Sequence, residues 1–281
     1  MNIKLIASDS LGIRSMATVV ETDDVCIFID ASASLGPSRY GLPPHPLELE
    51  ALEKALVSIE NMADDCNFFV ITHYHYDHYA PDEQFYEKKR VFAKCIDRNI
   101  NKSQMERGTL FAERFGNKSE IVYCDETDYE IGNTKLKFSP PFPHGPKGTR
   151  LGYVIMVTVE EDKKILFASD VQGPVDEKAA EYIIQQNPDI LITDGPPSYL
   201  LGWKFSRENL KKAEGNLTEI MKKTDCHLIL DHHLLRDLKY KEKLPILYGM
   251  YGDRIQTFAE YAGKKNNMLE AKRKELWNRG H

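Results

Sequence analysis

The stretch Phe68-Phe69-Val70-Ile71-Thr72-His73-Tyr74-His75-Tyr76-Asp77-His78 limits what this chain can become more than any other. A short apolar run of β-formers switches abruptly to polar chemistry, which reads as a buried strand followed by a loop. Just past a strand, a rigid sheet can position reactive side chains. Three imidazoles and a carboxylate fall within the six residues from His73 to His78. His73 and His75 stand two apart, so in extended chain they point the same way and can grip one cation. Asp77 and His78 follow after the chain turns and can serve a second cation beside it. Imidazole and carboxylate together suit zinc, iron or manganese.

This His-x-His-x-Asp-His pattern after an apolar strand resembles the metallo-β-lactamase superfamily. Within it, the chain looks most like a branch of uncharacterised metal-dependent hydrolases of archaea and thermophilic bacteria. The resemblance covers about residues 1–260. It implies an α/β fold, a four-layer α/β/β/α sandwich, and further ligands in a set order. His144 falls where the third motif is expected. The prolines at 140, 141 and 143 restrict backbone angles before it, which suits a ligand held in place before a metal arrives. Asp170 ends the strand-like run Lys163-Lys164-Ile165-Leu166-Phe167-Ala168-Ser169 and matches the fourth-motif aspartate, which bridges two metals. A carboxylate has two oxygens and can hold two cations about 3.5–4 Å apart. Classical zinc β-lactamases carry cysteine here, so antibiotic hydrolysis fits poorly. His227-Leu228-Ile229-Leu230-Asp231-His232-His233 resembles the fifth motif of tRNA 3′-processing members, a strand running into a histidine with an arginine four residues later. On that register His232 is the ligand and Arg236 is the arginine. His233 stays open as the competitor, because strand alternation puts neighbours on opposite sides and one of the two is expected to bind. Asp30 matches the first-motif aspartate, which supports the metal loop by hydrogen bonds; a turn-capping role stays open beside it.

By this carry-over His73, His75 and His144 hold one metal, Asp77, His78 and His232 hold the other, and Asp170 bridges. The di-iron branch that reduces oxygen has glutamate in place of the second loop histidine; this chain has His75, which favours hydrolysis. The expected enzyme is a dinuclear metallohydrolase with two divalent ions, zinc ahead of iron or manganese, and a bridging hydroxide. Asp77 orients the water or accepts its proton. A small ester, lactone, thioester or phosphodiester is the favoured substrate. An RNA- or DNA-processing phosphodiesterase is the alternative, and a non-catalytic metal-binding protein the third reading. Metal identity, substrate and oligomeric state are not written in the sequence.

A net charge of -6 speaks against a general nucleic-acid surface but not against a local basic groove. No apolar run approaches a membrane span, and the start lacks the apolar core of a signal peptide. Five scattered cysteines, Cys26, Cys66, Cys95, Cys124 and Cys226, with no Cys-x-x-Cys pair, read as free thiols in a reducing cytoplasm. One domain is expected over 1–281, with a basic helical tail from about 264 to 281. Strands are expected at 2–7, 16–21, 25–30, 119–123, 128–131, 134–138, 152–160 and 189–194, and helices after Pro46, at 101–116, at 176–186 and after Ser206. Leu49, Leu52, Leu56 and Ile59 mark the core stripe of the first helix. Arg98, Lys102, Arg107, Arg114 and Lys118 read as a solvated face, with a role in binding substrate phosphate as the alternative. His45 reads as a loop residue, Asp194 as a turn residue, and two of Tyr74, Tyr76 and Tyr79 as packing.

Overall fold

Strand alternation sorts the apolar residues of this chain onto two faces, and the layers follow. In the computed structural model, which describes residues 1–278, β1 (Asn2–Leu5), β2 (Thr18–Glu21), β3 (Cys26–Ile29), β4 (Phe68–Ile71), β5 (Arg90–Ala93) and β6 (Glu120–Tyr123) form one sheet in chain order. The first three strands are antiparallel, and β3 to β6 run parallel. The crossovers are α1 (Pro46–Asp65) and α2 (Lys102–Phe115). After β7 (Asp128–Ile131) and β8 (Thr134–Phe138) comes a small pair, β9 (Phe142–Pro143) with β10 (Tyr153–Val154). Then follow β11 (Val157–Glu160), β12 (Lys164–Ser169), α3 (Glu177–Gln186), β13 (Ile190–Asp194), α4 (Arg207–Lys223) and β14 (His227–Asp231). The chain closes with α5 (Tyr240–Lys243), α6 (Pro245–Tyr251), β15 (Ile255–Gln256), α7 (Phe258–Tyr261) and α8 (Leu269–Asn278). The second sheet has the order β15-β14-β13-β12-β11-β8-β7.

Ile27 and Ile29 of β3 face the other sheet, where they meet Ile165 and Phe167 of β12, Ile192 of β13 and Ile229 of β14. Phe28, between the two isoleucines, faces α1 and α2 and packs with Ile59, Phe111 and Phe115. On the far side Leu166, Leu191 and Leu228 pack against α3 and α4 through Ala180, Ile183, Leu217 and Ile220. The parallel strands are thus covered on both faces, as such strands require. The result is the four-layer α/β/β/α sandwich expected from the resemblance. Among the described residues no helix is long and apolar enough to cross a membrane.

Several local expectations differ. The buried face of α1 is Glu48, Ala55, Ile59 and Ala63, while Leu49 and Leu56 are exposed. Leu52, also of the expected stripe, is partly buried against the core beside Ile59. The run 152–160 breaks into β10 and β11 at Ile155-Met156. Cys26 and Cys66 are joined in a disulfide, against the free-thiol expectation. Cys26 opens β3 and Cys66 precedes β4; these strands are parallel neighbours with Ile27 opposite Phe68, which brings the two Cα atoms to 4.7 Å. Cys95, Cys124 and Cys226 are free and buried. The tail is helical only from Leu269, and Arg279 lies outside the described residues. It is docked: Arg273 is buried and makes two 2.8 Å bonds to Glu48, and Arg14 pairs with Glu270 at 2.6 Å.

Candidate metal centre

The C-terminal ends of β3, β4, β12, β13 and β14 carry the polar residues, and left-handed residues end β12 and directly follow β3 and β14. These are Asp30 (φ 51°), Ser169 (φ 56°) and His232 (φ 50°). Non-glycine residues rarely sit there, and such strain gathers at functional sites. Each turns the chain sharply, so the next side chains face one point instead of alternating.

Ligand atoms of His73, His75, His144 and Asp170 lie within 4.8 Å of one another, as do those of Asp77, His78 and His232, and those of Asp170, His232 and His233. Asp170 is the hub. Its Oδ2 lies 3.1 Å from His144 Nε2, 3.2 Å from His78 Nε2, 3.6 Å from His232 Nε2, 3.6 Å from His233 Nε2 and 3.8 Å from His73 Nε2. His73, His78, His144, Asp170 and His232 are buried; His75 and Asp77 are half-buried. Tyr76 between them is 51% exposed, so the site opens there, while Tyr74 and Tyr79 are packed inside.

Behind the imidazoles stand buried carboxylates. Asp30 pairs with His78 Nδ1 at 2.8 Å, Asp9 with His232 Nδ1 at 2.8 Å, and Asp194 with His233 Nδ1 at 2.7 Å. Each carboxylate is itself held. Asp30 accepts from the Thr72 N–H and hydroxyl, Asp194 from the Gln172 and Gly173 N–H groups, and Asp9 from Arg236 Nε. A carboxylate on one ring nitrogen fixes the tautomer and turns the lone pair of the other forward, which is how metal-binding histidines are oriented.

His232 Nε2 meets Arg236 Nη2 at 3.2 Å, but the other forward atoms that are fully buried have no hydrogen-bond partner. Nε2 of His73, His78 and His144 and Oδ1 of Asp170 are buried and unsatisfied. Leaving such an atom unmade costs about 1–3 kcal/mol. A divalent cation satisfies lone pairs of imidazole and carboxylate together, so this donor set fits divalent metal.

Burial drives His75 down to about 3 and holds His73 and His233 low as well. Burial also opposes charge on His78 and His232, but Asp170 outweighs it and raises both, His232 to about 9. Burial would raise Asp77 and Asp170, yet the surrounding histidines, and Arg236 for Asp77, hold both carboxyls below their ordinary range. Asp194 is pushed up by burial and by Asp170.

The structure therefore brings His73, His75, Asp77, His78, His144, Asp170 and His232 together, with Asp30 behind His78. His233 converges too, contrary to the alternation argument. β14 ends at Asp231, and His232–Arg236 form a 3₁₀ helix, so neighbouring side chains no longer diverge. Asp194 is also no mere turn residue. Asp9 escaped the sequence reading altogether; its only trace is a polar Ser8-Asp9-Ser10 between strands, and its partner lies 223 positions away. His45 caps α1, accepting from the Leu47 N–H, and His227 opens β14 at the opposite end from the site.

Fold and cluster together define a metallo-β-lactamase-fold protein with a buried histidine–aspartate cluster that could hold metal ions. The chain belongs to the UPF0282 family. It is 41% identical over 291 residues to the UPF0282 protein of Methanopyrus kandleri, covering 98% of this chain and 99% of that one. It is 40% identical over 290 residues to that of Methanocaldococcus jannaschii, covering 98% and 96%. Among solved structures, an isothiocyanate hydrolase from Delia radicum gut bacteria shares the fold with a TM-score of 0.51 at 14% identity, over 88% of this chain and 94% of that chain. No protein-family model matches the chain.

Proposed function

We propose that this protein is a dinuclear metallohydrolase acting on a small ester, lactone, thioester or phosphodiester. The observation that carries the reading is the convergence of buried, partnerless Nε2 atoms of His73, His78 and His144 on the equally partnerless Asp170 carboxylate. His73, His75 and His144 would hold one divalent cation and Asp77, His78 and His232 the other, with Asp170 shared and His233 within reach of the second. When bound, the pair supplies a Lewis acid and lowers the pKa of water toward about 7.

The chain's own groups do the rest. Asp30, Asp9 and Asp194 keep His78, His232 and His233 each in one tautomer and one orientation. Asp77, held below the ordinary carboxyl range by His78, His232 and Arg236, is half-buried at the open side, where its carboxylate orients the attacking water or takes its proton. Arg236 Nη2 lies 3.7 Å from Asp77 Oδ2 and steadies that charge. No serine or cysteine nucleophile is needed.

The test is elemental analysis of untagged protein, then a panel of esters, lactones, thioesters and phosphodiesters with metal present. Turnover that a chelator abolishes, and that Asp77→Ala loses while remaining folded, is expected. A metal-loaded, folded protein that turns over nothing in the panel would overturn the reading.

A further inference from the structure

We propose that Arg39 and Arg107 form a two-sided clamp for an oxyanion on the substrate, so that the hydrolytic site takes anionic esters; this rests on the hydrolase reading above. Each guanidinium is tied to a carbonyl of a ligand-bearing segment and lies over a tyrosine ring. Arg107 Nη1 donates to the Tyr74 carbonyl at 3.0 Å, between His73 and His75, and sits 4.4 Å above the exposed ring of Tyr76. Arg39 Nη2 donates to the Arg236 carbonyl at 3.1 Å, at the end of the turn that begins with His232. Its guanidinium lies 4.6 Å from the Tyr40 ring and 4.4 Å from the Tyr199 ring. The Tyr199 hydroxyl in turn meets Arg236 Nη1 at 3.4 Å, and Arg236 reaches Asp77.

Among the described residues neither arginine has a carboxylate partner, and Arg39 Nε is buried with no partner at all. The structural arginines differ. Arg14 is paired with Glu270, Arg236 with Asp9 and Arg273 with Glu48. In a chain of net charge -6, two guanidiniums without a carboxylate partner are local positive charges to which an anion can be drawn. A planar fork of donors matches phosphate and carboxylate oxygens.

Both are also pre-positioned. A Cβ at Gly108 would stand 2.6 Å from Ile96 and 2.8 Å from the Tyr74 ring, so glycine lets α2 approach closely enough for Arg107 to reach Tyr74. Glycine inside a helix costs about 0.5–1 kcal/mol, which this contact offsets. The loop of Arg39 is pinned by α8: Arg273 donates to the Gly36 and Leu42 carbonyls, Trp277 to Pro43, and the Tyr40 hydroxyl to Ala271. A donor fixed beforehand binds with less ordering cost.

The experiment compares metal-loaded wild type, R39Q, R107Q and the double variant on p-nitrophenyl acetate, which is neutral, and on the anionic hemisuccinate and phosphodiester of the same leaving group. The ratio of anionic to neutral kcat/KM should fall about 10–100-fold in a variant, as expected for a lost hydrogen bond to a charged group, with metal content retained. The hemisuccinate and phosphodiester arms show whether carboxylate or phosphate is the better fit. An unchanged ratio in all variants overturns the clamp and leaves the hydrolase standing. If wild type cleaves no ester, the hydrolase reading fails instead, and calorimetry with inorganic phosphate decides the clamp. Weaker phosphate binding in the double variant at equal metal content supports it, and equal binding overturns it.

Discussion

Asp30→Asn is the sharpest single perturbation of the centre, because it changes charge and tautomer while conserving shape. Asp30 is fully buried, accepts from the Thr72 N–H at 2.9 Å and hydroxyl at 2.7 Å, and pairs with His78 Nδ1 at 2.8 Å. Asparagine tolerates the left-handed backbone at this position. Its oxygen can still take the Thr72 N–H, which leaves the amide nitrogen facing His78. His78 must then accept at Nδ1 and carry its proton on Nε2, aimed at Asp170 and at any cation there. Loss of such a supporting carboxylate costs about 10–100-fold in metal affinity, which is about 1.4–2.7 kcal/mol. The metal-free protein should also weaken, by about 1.5–3 kcal/mol for the charge-assisted bond. Competition against a chromophoric chelator reads the first effect, and denaturant melts of stripped protein read the second. Affinity and stability both indistinguishable from wild type would refute the claim that Asp30 orients His78.

Three further outcomes are expected. In metal-free protein, His232, raised to about 9, contributes stability that is complete below the ordinary histidine value of about 6.5 and is lost as pH rises through about 9, and His78, also raised, contributes in the same sense. His75, lowered to about 3, contributes in the opposite sense: its share is complete above about 6.5 and lost as pH falls toward 3. Melting of stripped protein should therefore peak near about pH 6.5, and bound metal, which takes the place of the protons, should remove the alkaline loss. Arg273→Met leaves Glu48 buried without its partner and should cost about 3–5 kcal/mol in chemical denaturation; adding Glu48→Gln should recover part of that. Asp170→Asn should cut bound divalent metal, read by elemental analysis, to one per chain or none, because Asp170 faces every imidazole of the cluster.

What was legible in the sequence was local. The strand-to-ligand switch at His73–His78 and the strand ending at Ser169-Asp170 can be read within a dozen residues, and the layer order is what the resemblance carried by those motifs implies. What was hidden depends on distant pairing. Asp9 stands behind His232 and Asp194 behind His233 across 223 and 39 positions, and nothing near them in the chain announces it. Cys26 and Cys66 become neighbours only once β3 and β4 pair. The buried face of α1 is turned toward Ala55 and Ala63, so Leu52 and Ile59 of the expected stripe pack on the core while Leu49 and Leu56 do not. Arg107 was indistinguishable from its charged neighbours on α2 until Gly108 brought the helix against Tyr74. His233 defied alternation because the chain leaves the strand one residue before His232.

The most direct measurement is anomalous diffraction at the metal's absorption edge from a crystal of protein loaded with zinc. The account predicts two peaks about 3.5–4 Å apart, one among His73, His75 and His144, the other among Asp77, His78 and His232, with Asp170 between them. A fully occupied crystal with no peak at these residues, or with the metal seated elsewhere on the chain, would contradict it.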